Sequence, residues 1–152
     1  MPLSVTSRLL RAVLLCAAVV LTGAQSAFAG VVVSVTSLPF GVYSSGRSTA
    51  LPAESVITVT ADSGLPFWIA IDNGLHYFSP WRRLAAGESF AVYQLYRDAN
   101  HTLTWGAAVG PDTVSGTGSG SPQSFTVYGL LPANQTPPDG DYADTIRVTV
   151  EF

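Results

Sequence analysis

The chain has 152 residues, of which 47% are hydrophobic and 11% are charged, a composition that favours a packed globular domain over a disordered chain. Its 14 Gly, 10 Pro and 11% aromatic residues are typical of short strands joined by turns and exclude an all-α fold. A formal net charge of −3 provides no basic surface for phosphate groups, so nucleic acid is not expected as a partner.

Residues 1–29 have the features of a secretory signal peptide. Two arginines precede an apolar run over residues 12–22, and the small-x-small pattern Ala27-Phe28-Ala29 follows. The apolar run is too short to span a bilayer, so stable membrane insertion is not expected. Cleavage after Ala29 predicts an exported domain over residues 30–152, which contains no cysteine and must be held together by its core alone.

Alternation of apolar and polar residues predicts strands in the first half of this domain. The first strand alternates over residues 31–35 and is expected to continue to residue 40 before a glycine turn. A second strand is expected over residues 55–61, and a third over residues 66–72 ends at an Asn-Gly turn pair. The third strand places three apolar side chains on one face: Phe67, Ile69 and Ile71.

The second half of the domain has the same character. Residues 89–97 are rich in aromatic and branched side chains, and residues 123–130 alternate again. Between them, residues 110–121 have the composition of a flexible loop. The last strand, over residues 144–152, is the most regular, and its inward face is expected to carry Ile146, Val148, Val150 and Phe152.

About six strands separated by turns describe an all-β, immunoglobulin-like sandwich that falls short of the usual seven strands. The most regular strand comes last, and its final residues include no proline or bulge signal that would protect an exposed edge. The sequence therefore predicts an incomplete sandwich in which another strand must pair with this edge.

Several segments carry a resemblance to a known family. They are FGVY (40–43), RRL (82–84), YQLYRDA (93–99), TWG (104–106), FTVYG (125–129) and PANQTPPDGDYADTIRVTV (132–150). In this order they resemble the spore coat protein U domain family, which includes subunits of archaic chaperone-usher pili. The resemblance implies an incomplete immunoglobulin-like fold whose groove is filled first by a periplasmic pilus chaperone and then by a donor strand from a neighbouring pilin subunit.

The resemblance also implies the rest of the functional setting. The chain would be exported through the Sec pathway to the periplasm, pass an outer-membrane usher and reach a pilus on the cell surface as a structural or adhesive subunit, with no cofactor. The groove residues that it implies are Val31, Val33, Val35, Ile146, Val148, Val150 and Phe152. A secreted coat protein or a carbohydrate-binding module with a similar sandwich remains the alternative.

Two departures from the family pattern bear on stability and position. Members usually carry a pair of cysteines, and the corresponding residues here are Val31 and Ala61, which suggests that apolar packing replaces a bridge. Shaft pilins of the family have an apolar extension before the first strand, whereas only Gly30 would precede it here after cleavage. This departure suggests a tip or initiating subunit, which accepts a strand and does not donate one.

Residues that could suggest catalysis or a metal have simpler interpretations. His76, His101, Asp72 and Asp98 could be imagined as a hydrolase site, but no Gly-x-Ser-x-Gly nucleophile turn accompanies them, so no enzyme is expected. The run DGDYAD (139–144) lacks the spacing of a calcium loop and is interpreted as a solvated turn.

Exposed aromatic side chains are a further candidate for contact with a ligand. Trp68 lies on the face opposite the apolar residues of its strand, and Trp81 is expected in a loop beside Arg82. Both are candidate surface contacts for a sugar ring or an apolar surface. Arg82 and Arg83 are expected to form surface or structural ion pairs.

Overall fold

The computed structural model of the chain describes residues 30–152 and, as a backbone strand, residues 9–16. The strands in chain order are β1 (Leu9–Cys16), β2 (Val32–Val35), β3 (Leu38–Val42), β4 (Leu51–Thr60), β5 (Pro66–Ile71), β6 (Arg82–Ala86), β7 (Ser89–Tyr96), β8 (Val114–Thr117), β9 (Gln123–Leu131) and β10 (Thr145–Glu151). These residues form no helix, and so none that is long and apolar enough to cross a membrane. The predicted cleavage site at Ala29 lies outside the described residues.

The strands form two five-stranded sheets. Sheet I has the order β2-β4-β9-β7-β6, and sheet II has the order β3-β1-β10-β5-β8. All strand pairs are antiparallel except β1 with β10, which is parallel. The all-β, immunoglobulin-like sandwich predicted from the sequence is therefore confirmed, with more strands than the sequence indicated.

The core lies between the inward faces of the two sheets, where the alternation placed it. In β5, Phe67, Ile69 and Ile71 are fully buried while Trp68 points outward. In β4, Ile57 is fully buried in the same way. Because side chains alternate across a strand, a period of two in the sequence fixes which face is buried.

Within residues 30–152, two strands lie where the sequence did not predict them. Within the expected flexible loop, residues 114–117 form β8 and pair with β5 as an edge strand. Gly116 permits this pairing, because a Cβ atom at this position would come within 2.5 Å of the Phe67 ring. The second is β6, which forms a hairpin with β7 and carries the buried Arg82 on its inward side. Because a charged residue occupies an inward position, the sequence of β6 does not show the alternation of apolar and polar residues that predicts a strand.

Both ends of the domain differ in detail from the expectation. The expected first strand is interrupted at residues 36–37, where the chain leaves sheet I and enters sheet II as β3. Thr36 anchors this crossing, since its backbone N–H donates to Val56 O at 3.0 Å and its own carbonyl accepts from Ser55 Oγ at 2.6 Å. The last strand ends at Glu151, so Phe152 lies beyond it and is 48% exposed rather than inward-facing.

Candidate functional site

The most informative feature of sheet II is the position between β3 and β10. There β1 runs antiparallel to β3, with Leu9 opposite Val42, and parallel to β10, with Cys16 opposite Val148. Within the described residues, β1 alone pairs with these two strand edges. Without residues 9–16, both edges would present unpaired backbone N–H and C=O groups. The position is therefore a groove that one extended segment can fill.

The side chains that border this groove on the core side are apolar. β3 contributes Leu38 and Phe40, and β10 contributes Ile146, Val148 and Val150, all of them buried. The intervening residues of β10 are more accessible, and its central Arg147 is exposed. The groove is thus a short apolar channel between two strand edges, which suits an extended segment with alternating apolar residues.

The seven residues expected to line the groove divide between two sheets. Ile146, Val148 and Val150 border it on β10. The three valines at positions 31, 33 and 35 lie instead on the inward side of sheet I, half-buried against the core, with Val33 and Val35 in β2, which pairs with β4. Sequence analysis missed the role of β3, although the alternation through Leu38 and Phe40 indicated a strand there.

The loop between β5 and β6 is held against β10 by two carboxylates. Asp144 accepts hydrogen bonds from Leu75 N at 3.0 Å and Thr145 N at 2.9 Å through Oδ1, and from the Tyr93 hydroxyl at 2.6 Å through Oδ2. Burial raises the pKa of Asp144, and the hydrogen bond from Tyr93 opposes that effect. The pKa of Tyr93 is raised by burial and by the neighbouring Asp144 carboxylate, which keeps the hydroxyl protonated as the donor.

The second carboxylate, Asp72, acts at the other side of the same loop. Its Oδ1 accepts from Gly74 N at 3.1 Å and from Arg147 N in β10 at 2.9 Å. Gly74 has a φ of 80°, and a Cβ atom there would collide with the Asp144 carboxylate, so the turn requires glycine. The loop is thereby fixed to the strand that borders the groove.

Arg82 crosses from sheet I to sheet II inside the core. Its guanidinium donates to the carbonyl oxygens of Ile71 at 2.9 Å and Trp105 at 3.0 Å, to Asp72 O, and to Gln94 Oε1. The expectation of an ion pair is therefore wrong for Arg82, because carbonyl and amide oxygens take the place of a carboxylate. Burial lowers its pKa, against the attraction of nearby Tyr93 and Asp72.

A second surface feature lies on the outer face of β6 and β7. We define the aromatic patch as Phe78, Trp81, Arg83 and Phe90. Its three rings are 67%, 38% and 39% exposed, respectively. The other tryptophan considered in the sequence, Trp68, is 37% exposed but lies on sheet II opposite Ser115 and Glu151. Of the two candidate contact residues, Trp81 is the one that forms a backbone bridge with an aromatic residue, Phe78.

The residues that could have suggested catalysis have separate structural roles. His76 contacts Phe90, while His101 packs its ring edge-on against Tyr96. Asp98 accepts from the backbone N–H groups of residues 102 and 103, as a turn residue does. Among the described residues, no group of three or more His, Cys, Asp or Glu side chains could hold a metal ion.

Comparisons with known proteins place the chain in a family. The model of the Spore Coat Protein U domain family matches residues 16–149, and the chain belongs to this family. The matched region begins within the predicted signal peptide, at the last residue of β1.

Two of the proteins that are similar to the chain come from Myxococcus xanthus and Acinetobacter baumannii. Protein U of Myxococcus xanthus is 36% identical over 75 residues, which cover 48% of this chain and 41% of that protein. A chain of the chaperone–tip adhesion subunit pre-assembly complex CsuC–CsuE, from the archaic chaperone-usher Csu pili of Acinetobacter baumannii, superposes with a TM-score of 0.56 at 19% identity. That match covers 80% of this chain and 40% of the other. The chain thus spans about two fifths of the length of either protein, and the structural likeness concerns the fold.

Proposed function

We propose that the chain is a non-catalytic structural subunit of a chaperone-usher pilus and that it is assembled by accepting a strand between β3 and β10. The observation that carries this proposal is the closure of sheet II by residues 9–16 alone, within the described chain. These residues belong to the segment with signal-peptide character. Cleavage after Ala29 would remove them and leave the groove open to a strand from another protein.

The geometry of β1 indicates how such a strand would bind. It pairs with both edges at once, parallel to β10, while Leu38, Phe40, Ile146, Val148 and Val150 supply the apolar floor. Strand addition of this kind draws affinity from main-chain hydrogen bonds and specificity from alternate side chains. The similarity to a chain of a pilus chaperone–tip subunit complex supports a periplasmic chaperone as the first occupant.

The route that follows from this proposal begins with export to the periplasm. The chaperone fills the groove there, and the outer-membrane usher exchanges it for the donor strand of a neighbouring pilin, which leaves the subunit in a surface pilus. Family membership supports this destination. The exchange requires that the groove be apolar and continuous, as the borders on β3 and β10 are.

A matched pair of substitutions tests the proposal. Val148→Asp places a charge on the apolar floor of the groove, whereas Thr149→Asp places it on the more accessible side of the same strand. An unpaired buried charge costs several kcal/mol. We expect Val148→Asp to abolish both co-purification with the chaperone and display on the cell surface, and Thr149→Asp to retain both. Equal behaviour of the two variants would contradict the proposed groove.

We further propose that the subunit occupies the distal end of the pilus. If cleavage falls after Ala29, Gly30 and Val31 alone precede β2 in the exported chain, which leaves no segment of about ten residues to donate to a neighbour. Mass spectrometry of the exported protein gives its N-terminus, and immunogold labelling of isolated pili gives its position. We expect label at one end of each fibre; label repeated along the shaft would refute the tip position and leave the pilin function intact.

A further inference from the structure

The aromatic patch contains a cation that is held in place but has unused hydrogen-bond donors. The Arg83 guanidinium carbon lies 4.1 Å from the centroid of the Phe90 ring and 5.1 Å from that of Phe78. Its Nε donates to His76 O at 2.6 Å. Its two Nη groups donate to no residue of the described chain. Arg83 therefore presents a fixed fork of donors on an aromatic surface.

The rings of the patch stand on the same face as this fork. Phe78 and Trp81 exchange two backbone hydrogen bonds, of 2.9 Å and 2.8 Å, so their side chains lie on the same side of this narrow pair. Trp81 precedes Arg83 by two residues and forms an isolated bridge with Phe78 immediately before β6, which places Trp81 and Arg83 on one face. Exposed rings gathered around a cation are a feature that single exposed apolar residues do not share.

We propose that the aromatic patch binds a carboxylated sugar residue of an acidic polysaccharide. The Arg83 fork would take the carboxylate in a bidentate pair, the strongest common arrangement for this side chain. The exposed faces of Phe78 and Trp81 would pack against the apolar C–H face of the sugar ring. The patch shares no residue with the groove, so this binding goes beyond the proposed pilus function and does not rest on it.

Charge decides between this ligand and a purely apolar surface. An apolar surface pressed onto the patch would cover two unpaired Nη groups of a charged guanidinium without offering an acceptor, which costs free energy. A carboxylate supplies two acceptors at the same place. The neighbouring aromatic rings favour a ligand whose carboxylate is attached to a ring with an apolar face. A uronic acid has both features.

Arg47 serves as a matched control for Arg83. Its Nε also makes local hydrogen bonds, to Thr49 O and Oγ1 at 3.0 Å each, and no aromatic ring of the described chain stacks on it. Arg47→Gln and Arg83→Gln thus remove the same charge, once away from the rings and once between them. Phe78→Ala removes the most exposed ring with little loss of buried area.

The test uses the full chain, expressed without export so that residues 1–29 are retained and β1 stays in place. Isothermal titration calorimetry measures binding of oligogalacturonate and, as a neutral counterpart, of the same oligosaccharide with its carboxylates methyl-esterified. We expect Arg83→Gln to bind oligogalacturonate about tenfold more weakly or worse, as the loss of two charge-assisted hydrogen bonds requires. We expect Phe78→Ala to weaken binding severalfold and Arg47→Gln to leave it unchanged.

Four outcomes would overturn the proposal. Folded wild-type protein that binds no oligogalacturonate would do so, as would equal affinity of the wild type and Arg83→Gln. Equal affinity for the acidic and the esterified oligosaccharide would show that the carboxylate is not recognised. The protein could also bind a phenyl matrix equally well as wild type and as Arg83→Gln, and bind no oligogalacturonate. That result would show that the patch is an apolar docking surface and not a sugar site.

Discussion

The two sheets of the sandwich differ in how far they depend on residues outside the range 30–152. Every strand of sheet I comes from residues 32–131, and all of its pairs are antiparallel. Sheet II is continuous only with residues 9–16 between β3 and β10, and this insertion introduces its parallel pair. Sheet I therefore closes with residues 32–131 alone, while sheet II is continuous only when β1 is present.

Polar contacts join the two sheets at the end of β5 and at the start of β10. Arg82 reaches from β6 to the end of β5, and Tyr93 reaches from β7 to Asp144 just before β10. Ala85 and Ala143 add a pair of backbone hydrogen bonds of 2.8 Å and 3.0 Å at the same end. These contacts tie the end of β5 and the start of β10 to the β6–β7 hairpin of sheet I.

Of the changes considered, removal of residues 1–29 should destabilise sheet II the most. It uncovers the groove floor formed by Leu38, Phe40, Ile146 and Val148 and unpairs two strand edges. Four apolar side chains at about 1.5–3 kcal/mol each amount to roughly 10 kcal/mol, comparable with the entire stability of a domain. We expect the domain over residues 30–152, purified alone, to aggregate or to lack a cooperative thermal transition.

Removal of residues 1–8 is the matched control, because it leaves β1 in place. The shortened chain should unfold cooperatively, and co-expression with the pilus chaperone should restore the solubility of residues 30–152. A soluble monomer of residues 30–152 with a cooperative transition of its own would show that sheet II does not need an added strand, and would remove the basis of the comparison.

Substitutions of Arg82 and Arg83 test whether the hydrogen bonds of Arg82 hold the two sheets together. Arg82→Met removes the buried donor to the carbonyls of Ile71 and Trp105 and leaves Gln94 Oε1 with Leu95 N alone, which should lower the free energy of unfolding by about 3 kcal/mol. Arg83→Gln, on the outer face of the same strand, should change it by less than about 1 kcal/mol. Urea denaturation of the full chain measures both. Similar losses would mean that Arg82 is not the tie that its contacts indicate.

Sequence patterns predicted the strands that bury one clean face. β4, β5, β9 and β10 were found because a period of two reports burial directly when every inward residue is apolar. β6 was not predicted, because its inward residue Arg82 is charged and its hydrogen-bond partners are brought together only in the folded chain. β8 escaped because its Gly-rich sequence is typical of loops, and its pairing depends on the Phe67 ring beneath Gly116.

The candidate sites show the same limit. Alternation was enough to predict the inward face of β10, with Ile146, Val148 and Val150. Leu38 and Phe40 border the groove because the chain crosses from sheet I to sheet II at residues 36–37, and the alternation of apolar residues does not reveal such a crossing. The aromatic patch joins a loop, β6 and β7, so its guanidinium and rings come together only through tertiary structure. The sequence drew attention to Trp81 as a contact residue, whereas it indicated only an ion pair for Arg83.

An engineered disulfide should strengthen sheet I without affecting the groove. The β2–β4 register places Val32 opposite Thr60, and one further step places Val31 opposite Ala61, within the Cα separation that a disulfide tolerates. We expect Val31→Cys with Ala61→Cys to form a bridge and to stabilise the full chain by about 2–3 kcal/mol under oxidising conditions.

The bridge should not rescue the domain over residues 30–152, because it lies in the sheet that is already closed. Thermal unfolding with and without reductant, in both lengths of chain, measures this. A bridge that restored cooperative unfolding to residues 30–152 would indicate that the missing strand matters less than the strength of sheet I.

The smallest expected effect concerns pH at Asp144. Its pKa is raised in the folded protein, chiefly by burial, so the folded state holds this proton more tightly than the unfolded state does. Between the unfolded value near 4 and the raised folded value, stability from this group decreases as the pH rises. Asp144→Asn carries no titrating proton and keeps acceptors for Leu75 N and Thr145 N.

We therefore expect the wild type to lose stability relative to Asp144→Asn as the pH rises through this window. Taking the difference between the two proteins in urea denaturation removes the contribution of the other acidic residues. Asp144→Ala is the control, because it abolishes titration and also the acceptors, and should be less stable than Asp144→Asn at every pH. If the wild type instead gained stability over Asp144→Asn with rising pH, the hydrogen bonds from Tyr93 and the loop would outweigh burial, and the carboxylate would stabilise the junction of the two sheets in its charged form.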